Sequence, residues 1–170
     1  VQAVNAVNGS QAGRSLLNSM LGVHPDAWMP SLAAKRFRQA APRQGSATTV
    51  VDGQRTPGKV AIFATCFVNH NEPGIGHDLL KVLDHNQIPW EIVEKERCCG
   101  MPRLELGDLE SVERAKDANI PVLARYAREG WAIVTPIPSC TLMYKQELPL
   151  MFPDEAEVQA VKAAFFEDRK

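Results

Sequence analysis

Three short apolar runs, each followed by residues with helical spacing, occupy the second part of the chain. The runs cover residues 59–65, 90–93 and 131–137, and each is nearly continuous rather than alternating. This composition is typical of strands that are buried on both faces of a parallel sheet. The order strand, helix, strand, helix, strand, helix predicts an α/β fold with right-handed crossovers, in which three or more parallel strands are flanked by helices.

The sequence also indicates where the helices between and after these runs begin and where they are interrupted. After the first run, four apolar residues share one helical face: Ile75, Leu79, Val82 and Leu83. Asp108 predicts the N-cap of the next long helix, and Pro121 predicts a kink in it or a break into two helices. A terminal helix is expected to begin near Asp154.

The first residues have a thinner apolar pattern. Residues 1–13 show little periodicity and predict a loop or a frayed terminus. Residues 14–21 have helical spacing and stop at Gly22, as a short helix would. Pro30 predicts the start of a second short, weakly amphipathic helix.

A connector follows this lead-in. Residues 41–58 hold prolines and glycines among serines and threonines, which is the composition of a linker. We therefore expect residues 1–58 to form a helical and loop lead-in with a linker, and residues 59–170 to form a compact domain. Because the chain begins at Val1 rather than at a methionine, we treat it as a possible piece of a longer protein.

Composition and charge argue against several classes of protein. Hydrophobic residues make up 45%, a globular value, and the net charge of -1 provides no basic field for nucleic acid or an acidic membrane surface. No apolar run approaches the roughly 20 residues of a membrane helix, and the start lacks a signal pattern. These features predict a cytoplasmic domain without direct membrane insertion, associated with a membrane only through partners.

All four cysteines come directly after predicted strands. Cys66 follows the first run, Cys98 and Cys99 follow the second, and Cys140 follows the third. The carboxyl ends of adjacent parallel strands lie about 4.8 Å apart at one edge of a sheet, so these thiols are expected to converge on one small site.

Four thiolates suit an iron-sulfur cluster or zinc. Zinc sites with four cysteines usually contain Cys-x-x-Cys pairs, which this chain lacks, and adjacent cysteines suit a cluster with several irons. The residues therefore favour a cluster over zinc. Three alternatives stay open: two disulfides, which need an oxidising compartment, cysteines that are merely buried at strand ends, and a redox dithiol at Cys98 and Cys99.

Three separated motifs occur in a fixed order: Cys66, then Cys98-Cys99-Gly100, then Pro138-Ser139-Cys140. They resemble the cysteine-rich CCG domain found in heterodisulfide reductases and in the iron-sulfur component of glycolate oxidase. The surrounding residues are most similar to the iron-sulfur branch of the family that belongs to anaerobic glycerol-3-phosphate dehydrogenases. The resemblance covers residues 59–152.

The resemblance implies an iron-sulfur electron-transfer domain of a larger oxidoreductase rather than an enzyme alone. It implies a cluster of 4Fe-4S type bound by the cysteines, and electron relay between a flavoprotein or other redox subunit and a quinone or thiol/disulfide acceptor. The predicted ligands are Cys66, Cys98, Cys99 and Cys140. Further Fe-S and CCG domains of a parent chain are the other implied partners.

The chain also departs from the family pattern. An upstream ferredoxin-like segment and a second CCG repeat are missing, and Met143 stands where the five-cysteine version has its last thiol. A thioether is a poor cluster ligand, so a four-thiolate cubane, a labile cluster and zinc all stay open. The alternative function is a zinc-binding, non-redox interaction module of the same fold.

Other polar residues lie near the cysteines in sequence. His70 and His77 could supply a further ligand, although an exposed loop histidine is the commoner case. Lys95, Arg97 and Arg103 flank the cysteine pair and are expected to lower thiol pKa values, unless they are only a solvated loop.

Overall fold

A three-stranded parallel sheet forms the centre of the molecule. The computed structural model describes residues 1–47 and 58–165. The strands are β1 (Val60–Ile62), β2 (Trp90–Ile92) and β3 (Ala132–Val134), in the order β2-β1-β3. In register, Val60 of the central strand faces Trp90 on one side and Ala132 on the other. The predicted α/β fold with parallel strands and flanking helices is confirmed.

Helices connect and cover the strands. In chain order they are α1 (Gln2–Gly9), α2 (Gln11–Leu21), α3 (Phe37–Ala40), α4 (Cys66–His70), α5 (Pro73–His85), α6 (Met101–Glu105), α7 (Leu109–Arg128), α8 (Pro138–Leu142), α9 (Leu148–Met151) and α10 (Ala156–Ala164). A π-helical turn, Met143–Glu147, joins α8 to α9. None of the helices in the described ranges combines the length and the apolar character that crossing a membrane requires.

The sheet separates two hydrophobic clusters. Ala61 belongs to the cluster that contains α7, α8 and α10, whereas Val60 and Ile62 belong to the cluster that contains α3 and α5. The central strand is therefore buried on both faces, which explains its continuous apolar sequence. Both clusters extend past the strand ends to the carboxyl edge of the sheet.

Helix α5 buries a different face from the predicted one. Its buried residues are Gly76, Leu80 and Leu83, whereas Val82 is 57% exposed. Gly76 lies inward because the ring of Phe37 occupies the space that a Cβ atom would need. Phe37 comes from the lead-in, and spacing within the helix gave no sign of this contact.

Helix α7 is continuous through Pro121, so of the two predicted outcomes, a kink or a break into two helices, the break is wrong. The helix begins after Asp108, whose carboxylate accepts a hydrogen bond from the Ser111 amide at 3.1 Å, and this predicted N-cap is confirmed. Pro121 lies on the exposed side, while Ile120 and Leu123 are buried. Packing on the inner side holds the helix together across the amide that proline lacks.

The lead-in is more structured than its sequence predicts. Residues 1–13 contain α1 and the start of α2 rather than a loop, and the side chain of Asn5 hydrogen-bonds to both the N–H and the C=O of Leu32. No helix begins at Pro30; the next helical residue in the chain is Phe37, which is fully buried. These tertiary contacts outweigh the weak local pattern.

The first part of the predicted linker pairs with the sheet, contrary to a purely connecting role. Gln44 forms an antiparallel bridge with Glu91, and the Ile92 N–H donates to the Arg43 carbonyl at 2.8 Å. Residues 48–57, most of the predicted linker, lie outside the described residues. The boundary between residues 1–58 and 59–170 stays a prediction.

Candidate metal centre

Four thiols meet beyond the carboxyl ends of the three strands. Cys66 begins α4 after β1, Cys98 and Cys99 lie in the loop after β2, and Cys140 lies in α8 after β3. The sulfurs of Cys99 and Cys140 are 3.1 Å apart, although 41 positions separate them. The thiol of Cys98 hydrogen-bonds to the thiols of Cys66 and Cys99. The structure thus brings all four predicted site residues into one connected group.

The four thiols form two pairs with different surroundings. The inner pair, Cys99 and Cys140, is 3% and 4% exposed and belongs to the hydrophobic cluster around α7. The outer pair, Cys66 and Cys98, is exposed. A cleft of about 220 Å³ opens beside the outer pair, and its lining residues are Arg38, Thr65, Cys66, Asn69, His70, Glu96, Arg97 and Cys98.

The surroundings move the thiol pKa values in opposite directions. Hydrogen bonds from Cys66 and then Cys99 lower the pKa of Cys98, with help from the Gly100 amide and the charge of Arg103, against burial. The hydrogen bond to Cys98, followed by burial, raises the pKa of Cys66. The hydrogen bonds to Cys140 and Cys98, together with burial, raise the pKa of Cys99. Arg103 thus acts in the predicted direction on Cys98, which is the thiol whose pKa the surroundings lower.

The backbone is strained directly before Cys66. Thr65 has φ 72° and ψ 156°, a region that is almost restricted to glycine, and it is nearly fully buried. Its hydroxyl accepts a hydrogen bond from the Val68 amide at 3.3 Å and caps α4. A β-branched residue holds this conformation only when the surrounding structure imposes it, and such strain is typical of functional sites.

Gly100 allows the chain to turn behind the cysteine pair. Its φ of 97° is unfavourable for other residues, and a Cβ atom there would lie 3.4 Å from the Cβ of Ala115 and 3.5 Å from the Cε of Met143. Met143 is fully buried. The residue that replaces the fifth cysteine therefore packs beneath the cysteine loop as a core side chain.

Glu96 joins two of the cysteine loops, and sequence reasoning missed it. Its carboxylate accepts a hydrogen bond from the Ala64 amide at 2.8 Å, and the guanidinium of Arg38 lies 3.3 Å away. Burial raises the pKa of Glu96 to about 7, while Arg38 and the Ala64 amide act in the opposite direction. The residue fixes the end of β1 relative to the loop that carries Cys98.

Asn119 fixes the same loop from α7 and was also missed. Its side-chain oxygen accepts from the Arg97 amide at 2.8 Å, and its side-chain nitrogen donates to the carbonyls of Arg97 and Cys98 at 3.3 and 3.1 Å. Asn119 is 2% exposed, so these bonds satisfy an otherwise costly buried amide. A polar residue on the inner side of a predicted helix was the only available signal in the sequence.

The two histidines proposed as further ligands have different environments. His70 lines the cleft, and its Nε2 lies 3.0 Å from the side-chain nitrogen of Asn69. His77 packs edge-on against the ring of Phe37, with ring centroids 5.2 Å apart, in the cluster around α5. His70 is thus near the outer pair, whereas His77 has a packing role.

The donor set fits a thiolate-bound group. No arrangement of three His, Cys, Asp or Glu side chains in residues 1–47 and 58–165 is ready to hold a single ion. The inner sulfurs, 3.1 Å apart, are closer than the roughly 3.8 Å between two thiolates on tetrahedral zinc. Binding of either zinc or a cluster requires these thiols to separate. The chemistry of four converging thiols nevertheless suits both groups.

Comparison with known proteins assigns the family. The sequence profile of the CCG cysteine-rich domain matches residues 60–145, which is half of the chain. The chain belongs to the CCG cysteine-rich domain family. The matched range contains all four cysteines and runs through all three strands.

The curated relatives include subunits of oxidoreductases. The C subunit of anaerobic glycerol-3-phosphate dehydrogenase from Escherichia coli (strain K12) is 25% identical over 147 residues, which cover 86% of this chain and 36% of that protein. The B subunit of fumarate reductase (CoM/CoB) from Methanothermobacter marburgensis is 30% identical over 57% of this chain and 19% of that protein. Lactate utilization protein A from Bacillus cytotoxicus is 33% identical over 57% of this chain and 38% of that protein.

The chain spans about a third or less of the length of these relatives. No solved structure matches the chain.

Proposed function

We propose that this chain is an electron-transfer domain of an iron-sulfur oxidoreductase. Cys66, Cys98, Cys99 and Cys140 would bind a cluster of 4Fe-4S type. The observation that carries the proposal is the convergence of four thiols from three loops, half of them buried and half exposed. The cluster would supply one-electron chemistry when bound.

The protein's own residues give the site two functions. The inner pair lies in an apolar core that excludes water, which protects thiolate ligands and lets nearby hydrogen bonds set the potential. The outer pair lies at the cleft, so a partner can come close to the site without entering the core. Glu96 holds the loop after β2 against the end of β1, and Asn119 of α7 holds the same loop at Arg97 and Cys98.

The proposed partners follow from the relatives. These relatives include subunits of a dehydrogenase and a reductase, which supports a flavoprotein or other redox subunit as donor and a quinone or a thiol/disulfide as acceptor. These two relatives are about two to three times as long as this chain, which supports further Fe-S and CCG domains in a parent chain. We also propose a cytoplasmic location, with membrane association through partners only.

A zinc-binding interaction module is the second candidate. Met143 packs in the core instead of offering a fifth thiol, which leaves four thiols, the number that structural zinc sites use. Zinc would lock the three loops together without redox activity.

Iron and zinc content per chain, measured on protein purified without oxygen, tests the proposal. About four irons are expected, with visible absorption that dithionite bleaches. Cys98→Ser is expected to lose the absorption, and the matched control Thr141→Ser, next to Cys140, is expected to keep it. About one zinc and no iron would replace the electron-transfer function by the interaction module, and a fully coloured Cys98→Ser would remove Cys98 from the ligand set.

A further inference from the structure

Three buried side-chain atoms of the described residues have no hydrogen-bond partner: Arg38 Nη1, Thr135 Oγ1 and Tyr144 Oη. All three belong to the carboxyl side of the sheet: Arg38 lines the cleft, Thr135 follows β3 and Tyr144 follows α8. Buried polar atoms are almost always paired in native proteins, because an unpaired one loses its bonds to water without replacement. Arg38 Nη1 still forms an ion pair with the Glu96 carboxylate at 3.3 Å, whereas Thr135 Oγ1 and Tyr144 Oη have no partner among the described residues, so a further group is expected to bond to them.

Of the three residues with an unpaired buried atom, Tyr144 is the nearest in sequence to a site cysteine. It lies four positions after Cys140, which places both on one side of the helical turn, and helical side chains lean towards the N-terminal turn. Tyr144 and the inner cysteines belong to the same buried cluster. Burial, followed by the charges of Cys99 and Cys140, raises the pKa of the Tyr144 hydroxyl, so the hydroxyl keeps its proton and can act as a donor.

The ring of Tyr144 is held in place on both sides. Phe63 packs edge-on at 5.3 Å between centroids, and Phe165 stacks on it at 4.8 Å. Tyr144 is 1% exposed. The hydroxyl therefore cannot swing out to water to satisfy itself.

The local backbone supports a special role for this residue. Tyr144 lies in the π-helical turn Met143–Glu147, directly after the helix that carries Cys140. Single π-helical turns are uncommon and often occur at functional sites, since they cost regular hydrogen bonding and redirect side chains. Here the turn places two consecutive side chains, Met143 and Tyr144, in the core.

We propose that the Tyr144 hydroxyl donates a hydrogen bond to a sulfur of the cluster held by the four cysteines and stabilises its reduced state. The inference rests on the proposed function. A bound cluster would take one electron from the redox partner on reduction, and its sulfurs would become more negative. A fixed donor then binds more strongly to the reduced cluster than to the oxidised one. The tyrosine keeps its proton, and no covalent bond changes.

Tyr144→Phe tests the proposal, because it removes only the unpaired hydroxyl oxygen and keeps the ring contacts. Tyr126→Phe is the matched control: Tyr126 is 1% exposed, and its hydroxyl already donates to Glu91 at 2.7 Å. Wild type and both variants are loaded without oxygen, and iron content and reduction potential are measured. Equal iron is expected in all three. At a fixed potential the ratio of reduced to oxidised cluster is expected to fall about tenfold in Tyr144→Phe and to stay within about twofold in the control.

Resonance Raman spectra in D2O give a second readout. The iron-sulfur stretching bands of wild type are expected to shift on exchange of the hydroxyl proton, and this part of the shift is absent in Tyr144→Phe. An iron-loaded variant with wild-type potential and wild-type shift would overturn the inference and leave the proposed function intact. Wild type that binds no iron would overturn both.

Apoprotein stability gives a third readout that needs no metal. Tyr144→Phe apoprotein is expected to be at least as stable to urea as wild type, because the lost hydroxyl has no partner in the protein. A clear loss of stability would show that the hydroxyl is already bonded within the chain and would overturn the inference.

Discussion

The inner and outer cysteine pairs are chemically identical and physically different. Cys99 and Cys140 lie in the apolar core, whereas Cys66 and Cys98 lie at the exposed cleft. Hydrogen bonds to Cys140 and Cys98, together with burial, raise the pKa of Cys99, so this inner thiol depends on a bound group to become charged. The outer pair contains Cys98, whose pKa is lowered by hydrogen bonds from Cys66 and Cys99. One site therefore combines a protected half with a reactive half.

Alkylation of the apoprotein should give the largest difference between the pairs. Cys98 is expected to react with iodoacetamide at least about 100-fold faster than Cys99 or Cys140, because it is exposed and its pKa is lowered. Its rate should change little between pH 8 and pH 6, whereas an ordinary thiol slows about 100-fold over that interval. Mass spectrometry after short pulses measures each rate.

The same reaction in denaturant is the control for intrinsic reactivity. All four cysteines are expected to react at similar rates once the fold is lost. Equal rates in the native apoprotein would mean that the inner pair is open to solvent, contrary to its burial.

Serine substitutions in the inner and the outer pair are expected to change the stability of the apoprotein by different amounts. Cys140→Ser places a hydroxyl in the apolar core and is expected to lower the free energy of unfolding of the apoprotein by about 2 kcal/mol. Cys66→Ser changes an exposed atom and is expected to cost about 0.5 kcal/mol or less. Urea unfolding of metal-free protein measures both values, and both variants are expected to lose the bound metal. A Cys66→Ser cost as large as that of Cys140→Ser would contradict the division into pairs.

Gly100→Ala should disturb the inner side of the site only. A residue with a Cβ atom loses about 1–2 kcal/mol at positive φ, and the φ of Gly100, 97°, lies farther from the left-handed helical region near 57° than that of most such residues. Gly107→Ala is the matched control, since Gly107 has φ 73° and open space around its Cβ position. Thermal unfolding is expected to show a larger loss for Gly100→Ala.

Alkylation of the Gly100→Ala variant gives a second check. Cys99 is expected to become more reactive, while the rate at Cys98 stays close to that of wild type. Equal stability losses at Gly100 and Gly107 would show that contacts beneath the cysteine loop do not matter.

The sequence predicted the sheet and the convergence of the thiols well. Two local signals were available: the continuous apolar runs, and the position of each cysteine after a run. Because the strands are parallel, these positions all lie at the same edge of the sheet. The division into an inner and an outer pair could not be predicted in this way. It depends on which side of each loop faces α7, and Cys98 and Cys99 differ in burial although they are adjacent.

Glu96, Asn119 and Tyr144 could not be assigned to the site from the sequence for a related reason. Glu96 lies among charged residues in the sequence and was given no role, yet its side chain is largely buried, with Arg38 of the lead-in beside it. Asn119 and Tyr144 were part of helical stretches whose packing partners come from other elements. Long-range partners of this kind leave no periodic trace in the sequence.

The strand order β2-β1-β3 has a consequence for the time course of assembly. Pairing of β1 with β2 gathers three cysteines, but Cys140 joins them only after the chain has crossed to the other side of β1. Non-local pairing of this kind is slow compared with helix formation. A newly made chain therefore passes through a stage with three thiols and no fourth. Cofactor delivery is expected to wait until β3 is in place, so that occupancy of the site reports a completed fold.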